Sequence, residues 1–509
     1  MRNWGAWAAA LMMGLLWQGS AHAAWSQAKT QHFTVYSDGS DESLRRFAER
    51  LEKFDFLLRT VTGVTDPDIG SPVKVYILSS AAKVQKLARS KNVGGFYSTS
   101  DRSAFAVLPK GEKMHQFDMG AEEILFHEYT HHFMLHHFPA AYPAWYVEGF
   151  AEFFSVVKFT RDGNIEYGRV PMARAPGLVL GQPYPLTGLF AGGASGLKGP
   201  DMDRYYGTAW LLTHFMQYNR TGRRQELLRY LRDLSKGVPD MKPDSYFDGG
   251  LAGLEKDVRA YMRHDLSMTR MTPKDMKIGA ITVTPLDPVQ GDLVEQEVAL
   301  DVDPTEEQRR EILASIRAVV ARYPGKAYPL AVLAEAEWAA DQKDAALADA
   351  DRAIAIDANS SRGYAVRARV LIERAHESDK PEDWKAALTA IVRANRADTE
   401  DPVPLALFYR YHLLRGGKMP DLGYDGLYKA FALLPQNAEY RLNFAQALAA
   451  RGDYTQASIL LNPIAYSPHG SDRRDAALRL KADYDAQAAK QPKAAVSASP
   501  PAGNPAPAS

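Results

Sequence analysis

The chain has 509 residues, 61 basic and 61 acidic, with 46% hydrophobic residues and no cysteine. Balanced charge leaves no global field to draw nucleic acid or an anionic membrane, so neither is an expected partner. The missing thiols exclude a disulfide framework, a thiolate metal site, a cysteine nucleophile and an acylated cysteine anchor.

The length implies two or three domains. Arg2, the apolar run Trp4 to Trp17 and Ala21-His22-Ala23 read as a signal peptide over residues 1–23, cut after Ala23. The run is short for a membrane span; an uncleaved anchor is the lesser alternative. No second apolar stretch reaches spanning length. Export without cysteine fits a Gram-negative envelope, so the expected location is the periplasm or beyond it.

Residues 24–270 read as one domain. Gln31 to Ser37 alternates like a strand, Asp41 to Thr60 carries Leu44, Phe47, Leu51, Phe54 and Leu58 at helical spacing, and Val73 to Leu78 reads as a second strand. Val93 to Tyr97 is a turn into the strand-like run Arg102 to Pro109. That run ends at a proline, which suits an edge strand that a peptide could extend, or else a plain sheet strand.

His127-Glu128-Tyr129-Thr130-His131 follows, between Glu123-Ile124-Leu125-Phe126 and Phe133-Met134-Leu135, and Pro139 closes the helix. Histidines four apart on a helix lie about 40° apart around the axis, so both imidazoles can reach one metal. Glu128 points roughly 100° away, where it can touch a water on that metal without being a ligand. The bland alternative is a helix whose histidines, with His132, His136 and His137 nearby, are solvated or hydrogen-bonded. Apolar flanks argue for a buried helix, where such groups need partners.

Pro143 to about Lys158 reads as a second helix, antiparallel to the first because only Ala140, Ala141 and Tyr142 separate the two prolines. Glu148 then reaches the height of His131 and completes a three-ligand set with one open position, the pattern of a catalytic zinc site. Glu152, one turn deeper, is either a carboxylate behind a ligand histidine or a solvated charge.

Trp145-Tyr146-Val147-Glu148-Gly149-Phe150-Ala151-Glu152-Phe153 is similar to the third-ligand segment of the aminopeptidase-N-like branch of the gluzincin metallopeptidases. The likeness is strongest to bacterial peptidase MA-like proteins, which are often followed by helical repeats. It spans residues 25–270 loosely and is specific over 120–155 and around 205–215. It implies that His127, His131 and Glu148 bind Zn2+ and that Glu128 is the general base. It also implies a downstream donor for the oxyanion: Tyr206, with Tyr205 and His214 as substitutes, Tyr206 sitting at the start of a helix. Packing against Trp210 is the competing role for Tyr206. An exopeptidase motif upstream is missing, so aminopeptidase action is not carried over.

Pro171 to Pro200, rich in Gly and Pro, reads as a long loop and candidate lid. Residues 271–304 read as a connector, with Ile278 to Val283 and Val294 to Val302 strand-like. In residues 305–485, Ala346 and Ala353, Ala387 and Ala394, and Gly423 and Ala430 fall seven apart before a turn or proline, and Ala457 starts another unit. This resembles tetratricopeptide repeats of about 34 residues; the alternative is a generic helical bundle. Such arrays offer a concave groove to peptides or partner proteins. Residues 486–509, mostly Ala, Pro, Gln, Lys and Ser, read as a disordered tail.

The expected fold class is α+β, a gluzincin-type metallopeptidase domain followed by an all-α tetratricopeptide-like repeat domain. The expected function is a secreted or periplasmic zinc peptidase with a peptide or protein substrate, its repeats recruiting substrate or partner. The alternatives are a catalytically silent scaffold built on the repeats, or a zinc hydrolase of cell-wall peptides or another amide.

Overall fold

The computed structural model describes residues 25–66, 70–91, 93–111, 119–179, 182–219, 222–238, 240–467 and 473–491. The expected signal peptide lies outside them, as does all of the expected tail beyond Gln491. Ala486 to Lys490, read as tail, continue the last helix. None of the described helices is long and apolar enough to cross a membrane.

Strands β1 Ser26–Lys29 and β2 Phe33–Ser37 open the chain, followed by α1 Asp41–Thr62, β3 Val73–Leu78, α2 Ala81–Ala88, β4 Phe96–Thr99 and β5 Ala104–Pro109. The helix α1 starts where Ser40 caps the Ser43 amide and stops at Gly63, in the left-handed conformation at φ 72°. Strands β2, β3 and β5 run parallel, and β4 and β1 flank them antiparallel. Of the two readings of Arg102 to Pro109, the plain sheet strand holds and the edge strand does not, since β5 is internal. Its pairing with β3 on one side and β4 on the other leaves β4 at the sheet's edge.

Helix α3 Ala121–His137, which carries the two histidines expected as ligands, and its neighbour α4 Ala144–Ser155 follow, then β6 Lys158–Phe159 and β7 Ile165–Tyr167. Residues 171–200 are not one structureless loop. They contain the short helices α5 Ala175–Val179 and α6 Leu186–Ala191. Next come α7 Pro200–Tyr218, α8 Arg223–Ser235, α9 Gly250–Tyr261 and β8 Thr269–Met271, which joins β6 and β7 in a small sheet.

The stretch read as a connector divides between the two halves. Strand β9 Thr282–Pro285 pairs with β1 as the sixth strand of the large sheet. Val294 to Val302, expected as a strand, is helical, within α10 Pro288–Asp301 and its cap. Asp287 caps the Val289 amide, Pro288 takes the first turn, and Val289, Leu293 and Val294 are buried with Val298 at helical spacing. One face of the sheet (Val35, Val75, Ala106) packs on α1 and α3; the other (Tyr76, Phe105, Val107) packs on α2 and α10.

Ten more helices continue the array: α11 Glu306–Arg322, α12 Ala327–Ala339, α13 Lys343–Ile356, α14 Ser361–Ser378, α15 Pro381–Ala397, α16 Pro402–Arg415, α17 Asp421–Leu433, α18 Ala438–Ala450, α19 Tyr454–Ala465 and α20 Arg474–Lys490. Each packs on its chain neighbours, and α10, α12, α14 and α16 also touch one another in succession. This is a tetratricopeptide-like helical repeat domain. Ala346, Ala353, Ala387, Ala394, Gly423, Ala430 and Ala457 are all buried, the small residues letting paired helices approach.

The inner helices of the array hold the β4–β5 turn. Arg102 reaches Glu335 on α12 at 3.1 Å and Asp401, the cap of α16, at 2.6 Å. Asp101 pairs with Arg369 on α14, the Tyr440 hydroxyl donates to the Asp101 carbonyl at 2.6 Å, and Asn437 donates to the Ser100 carbonyl at 2.8 Å. Part of the face that such arrays offer to ligands is thus taken up by the chain's own hairpin.

Asp301, at the end of α10, belongs to the same charged seam. Burial pushes its carboxyl up from 3.8 to about 7, against the pull of Lys74. The folded form therefore holds this proton more tightly than the unfolded one. Its contribution to stability is complete below the ordinary value and is lost as pH rises to about 7. Urea midpoints measured from pH 4 to 8 should fall less steeply in Asp301→Asn than in the wild type.

Candidate metal centre

Helix α3 is positioned at both ends. Glu123 accepts from the Gly120 amide at 3.2 Å, and Glu122 pairs with Arg50 of α1. At the other end the buried Arg441 of α18 donates to the Leu135 carbonyl at 3.4 Å, a cation at a helix C-terminus. His132 sits between the Tyr97 hydroxyl of β4 at 2.9 Å and Gln436 at 3.2 Å, tying the helix to the sheet edge and to the repeats.

Helix α4 brings Glu148 to this helix because Gly149 lets it lie against α7. A Cβ at Gly149 would stand 2.3 Å from both the Ala209 carbonyl oxygen and Thr213 Oγ1. His127 Nε2 and His131 Nε2 are then 3.1 Å apart, and Glu148 Oε2 lies 3.3 Å from the first and 3.4 Å from the second. All three residues are buried.

The triangle fits a metal. Bonds of about 2.0–2.1 Å to a tetrahedral zinc put donor atoms roughly 3.3 Å from one another. Among the described residues this is the one group of three such side chains with donor atoms within 4.8 Å. The charges agree. Burial lowers the His127 pKa, but Glu148, Glu152 and Glu128 outweigh it and the net shift is upward, so the pocket favours a cation.

Glu152 is fully buried, not a solvated charge. Its Oε1 lies 3.6 Å from His127 Nδ1 and accepts from Arg174 at 2.8 and 3.1 Å, while Oε2 has no hydrogen-bond partner. Arg174 also pairs with Asp203 at 3.0 Å and lies over the Tyr206 ring, 4.7 Å from its centroid. Sequence reasoning missed Arg174, which falls in the Gly/Pro-rich stretch where no periodicity points to it.

Tyr206 is in the second turn of α7 rather than at its start, its ring 6.4 Å from that of His127. Burial and the Glu148 charge push its phenol well up, so it stays a neutral donor. The two substitutes are engaged elsewhere. Tyr205 donates to the Gly192 carbonyl at 3.1 Å. His214 is held by the Ser267 and Gly168 carbonyls and by Tyr261, at 2.8, 3.1 and 3.0 Å, with its pKa lowered by burial. Tyr97, also missed, lies on the edge strand, its phenol raised by burial and by the charge of half-buried Glu128.

No family model matches the chain, and no curated protein matches it. Among solved structures it is similar to a thermophilic tetratricopeptide-repeat protein of Thermus thermophilus, at 17% identity over 40% of this chain and 99% of that one, with a TM-score of 0.31. It is also similar to YrrB, a tetratricopeptide-repeat protein, at 19% identity over 35% and 84% of the two chains and a TM-score of 0.28. Yeast Tom70 is similar at 11% identity over 56% and 61%, with a TM-score of 0.26.

Proposed function

We propose that the chain is a zinc-dependent hydrolase of peptide bonds, of the gluzincin type, acting in the periplasm or outside the cell. The observation that carries this reading is the triangle of His127, His131 and Glu148 donor atoms, with a carboxylate one residue along the same helix. Zinc, when bound, polarises a carbonyl and lowers the pKa of a water to about 7.

The chain's own residues do the rest. Glu128 accepts a proton from the attacking water and returns it to the leaving amine. Glu152, held by Arg174, fixes the His127 ring from behind. Tyr206 donates to the oxygen on which negative charge develops.

A second reading, an interaction protein built on the repeats without turnover, is favoured by the array itself and by exposed Leu413, Leu422 and Tyr428 on α16 and α17. Elemental analysis of residues 24–509 tests the metal site that the first reading needs, and the turnover of Glu128→Gln against the wild type separates the two. The peptidase reading expects about one zinc per wild-type chain, as three protein ligands imply, and little in His127→Ala. A wild type that takes up no zinc even after incubation with the metal would leave the interaction protein.

A further inference from the structure

The turn between α17 and α18 presents one side chain to helix α3. Asn437 accepts from the Glu439 and Tyr440 amides at 2.9 Å each and donates to the Ser100 carbonyl at 2.8 Å. The Pro435 carbonyl accepts from Arg441 at 2.5 and 3.0 Å. Gln436, fixed on both sides, meets His132, the residue after a proposed zinc ligand.

The hydrogen-bond polarity of this contact can be followed from the repeats to the sheet edge. The Gln436 amide nitrogen lies 3.2 Å from His132 Nε2 and 3.5 Å from the His132 carbonyl oxygen. A carbonyl can only accept, so the nitrogen end of the amide faces the helix, and it donates to Nε2 as well. A neutral imidazole that accepts at Nε2 carries its proton on Nδ1. That proton goes to the Tyr97 oxygen of β4, 2.9 Å away. Stacking on Tyr129, with centroids 5.4 Å apart at 15°, holds the His132 ring in this plane. Tyr97 then accepts from His132 and keeps its own proton to donate. Among the described residues its hydroxyl has no other hydrogen-bond partner. Glu128 is one turn before His132 on the same face of α3, where side chains four apart stand about 5–6 Å from each other at Cβ. Its charge acts on Tyr97, adding to the burial that raises the phenol.

We propose that Gln436 is a positioning residue of the metal centre: by fixing the His132 proton on Nδ1, it turns the Tyr97 proton toward Glu128. A hydrogen bond from Tyr97 holds one oxygen of that carboxylate and leaves the other for the attacking water. The role of Glu128 rests on the peptidase reading above; the His132 tautomer does not. The repeats thereby act on the base itself, through two side chains of the other domain.

The test begins without metal or substrate. Residues 24–509 are labelled with nitrogen-15 at histidine, and the imidazole nitrogens are read by long-range proton–nitrogen correlation NMR above the ordinary imidazole pKa. The signal absent from His132→Gln identifies the ring. Wild-type His132 should be protonated on Nδ1, and Gln436→Met, which keeps the shape of the side chain but cannot donate, should shift protonation toward Nε2. A wild-type ring protonated on Nε2 would overturn the proposal whatever the chain hydrolyses. With zinc and a peptide substrate, Tyr97→Phe and Gln436→Met should each lower kcat about tenfold, the worth of a hydrogen bond to a charged group. KM, zinc per chain and melting curves should stay as in the wild type, and the double variant should be no slower than Tyr97→Phe. Multiplying losses, or a Gln436→Met with full kcat, would overturn the positioning role and leave the peptidase standing. No zinc and no cleavage in the wild type would overturn the peptidase reading and the role of Tyr97 on Glu128 with it.

Discussion

Glu128→Gln should keep its zinc and lose its hydrolysis. Gln cannot accept the proton of the attacking water, but it occupies the same space on α3, one residue from His127 and three from His131. The donor triangle is made by other side chains, so zinc per chain should match the wild type. General acid–base catalysis is worth about 10²–10⁴-fold, and the loss of kcat on a peptide substrate should fall in that range. Full turnover in a zinc-replete Glu128→Gln would sink the mechanism, since no other carboxylate has been given the proton to carry.

Gly149→Ala should damage both stability and the metal site. The added methyl would meet the Ala209 carbonyl oxygen at 2.3 Å, and this obstacle is helix backbone that cannot rotate aside. Helix α4 must lift from α7, and Glu148, one residue earlier, lifts with it. Overpacking of a buried contact costs about 1–3 kcal/mol, and a clash this close belongs at the upper end. The expected results are an unfolding free energy, read from urea melts, lowered by about that much, and zinc binding weakened well beyond what stability alone predicts. Wild-type zinc affinity in a folded Gly149→Ala would show that the α4–α7 contact does not set the position of Glu148.

Much of the ligand geometry is legible in the sequence because it is local. His127 and His131 share a helix, and the short Ala140-Ala141-Tyr142 link sets the height of Glu148 on the next one. The same holds for α1, with its helical spacing, and for β3. Legibility fails where the partner is distant in sequence. Nothing near Arg174 tells that its guanidinium holds Glu152, and nothing near Ser26 tells that its strand pairs with Thr282–Pro285. Val294 to Val302 misleads for another reason. Its valines suit a strand by propensity, yet Val294, Val298 and Val302 recur every fourth residue behind an Asp-Pro start, which is a helix signal. Tyr205 and His214 look like Tyr206 in sequence, and only their carbonyl partners remove them.

The β1–β9 pairing also has a consequence for the newborn chain. Gln27 and its cross-strand partner Thr284 are 257 residues apart, so the ribosome finishes the first strand long before the last. At roughly 5–20 residues per second that delay is on the order of ten to fifty seconds. Throughout it, the outer edge of β1 offers unpaired amides and carbonyls to any other strand within reach. A fragment ended at residue 270 would leave β1, in place of β9, as the sheet's outer strand permanently.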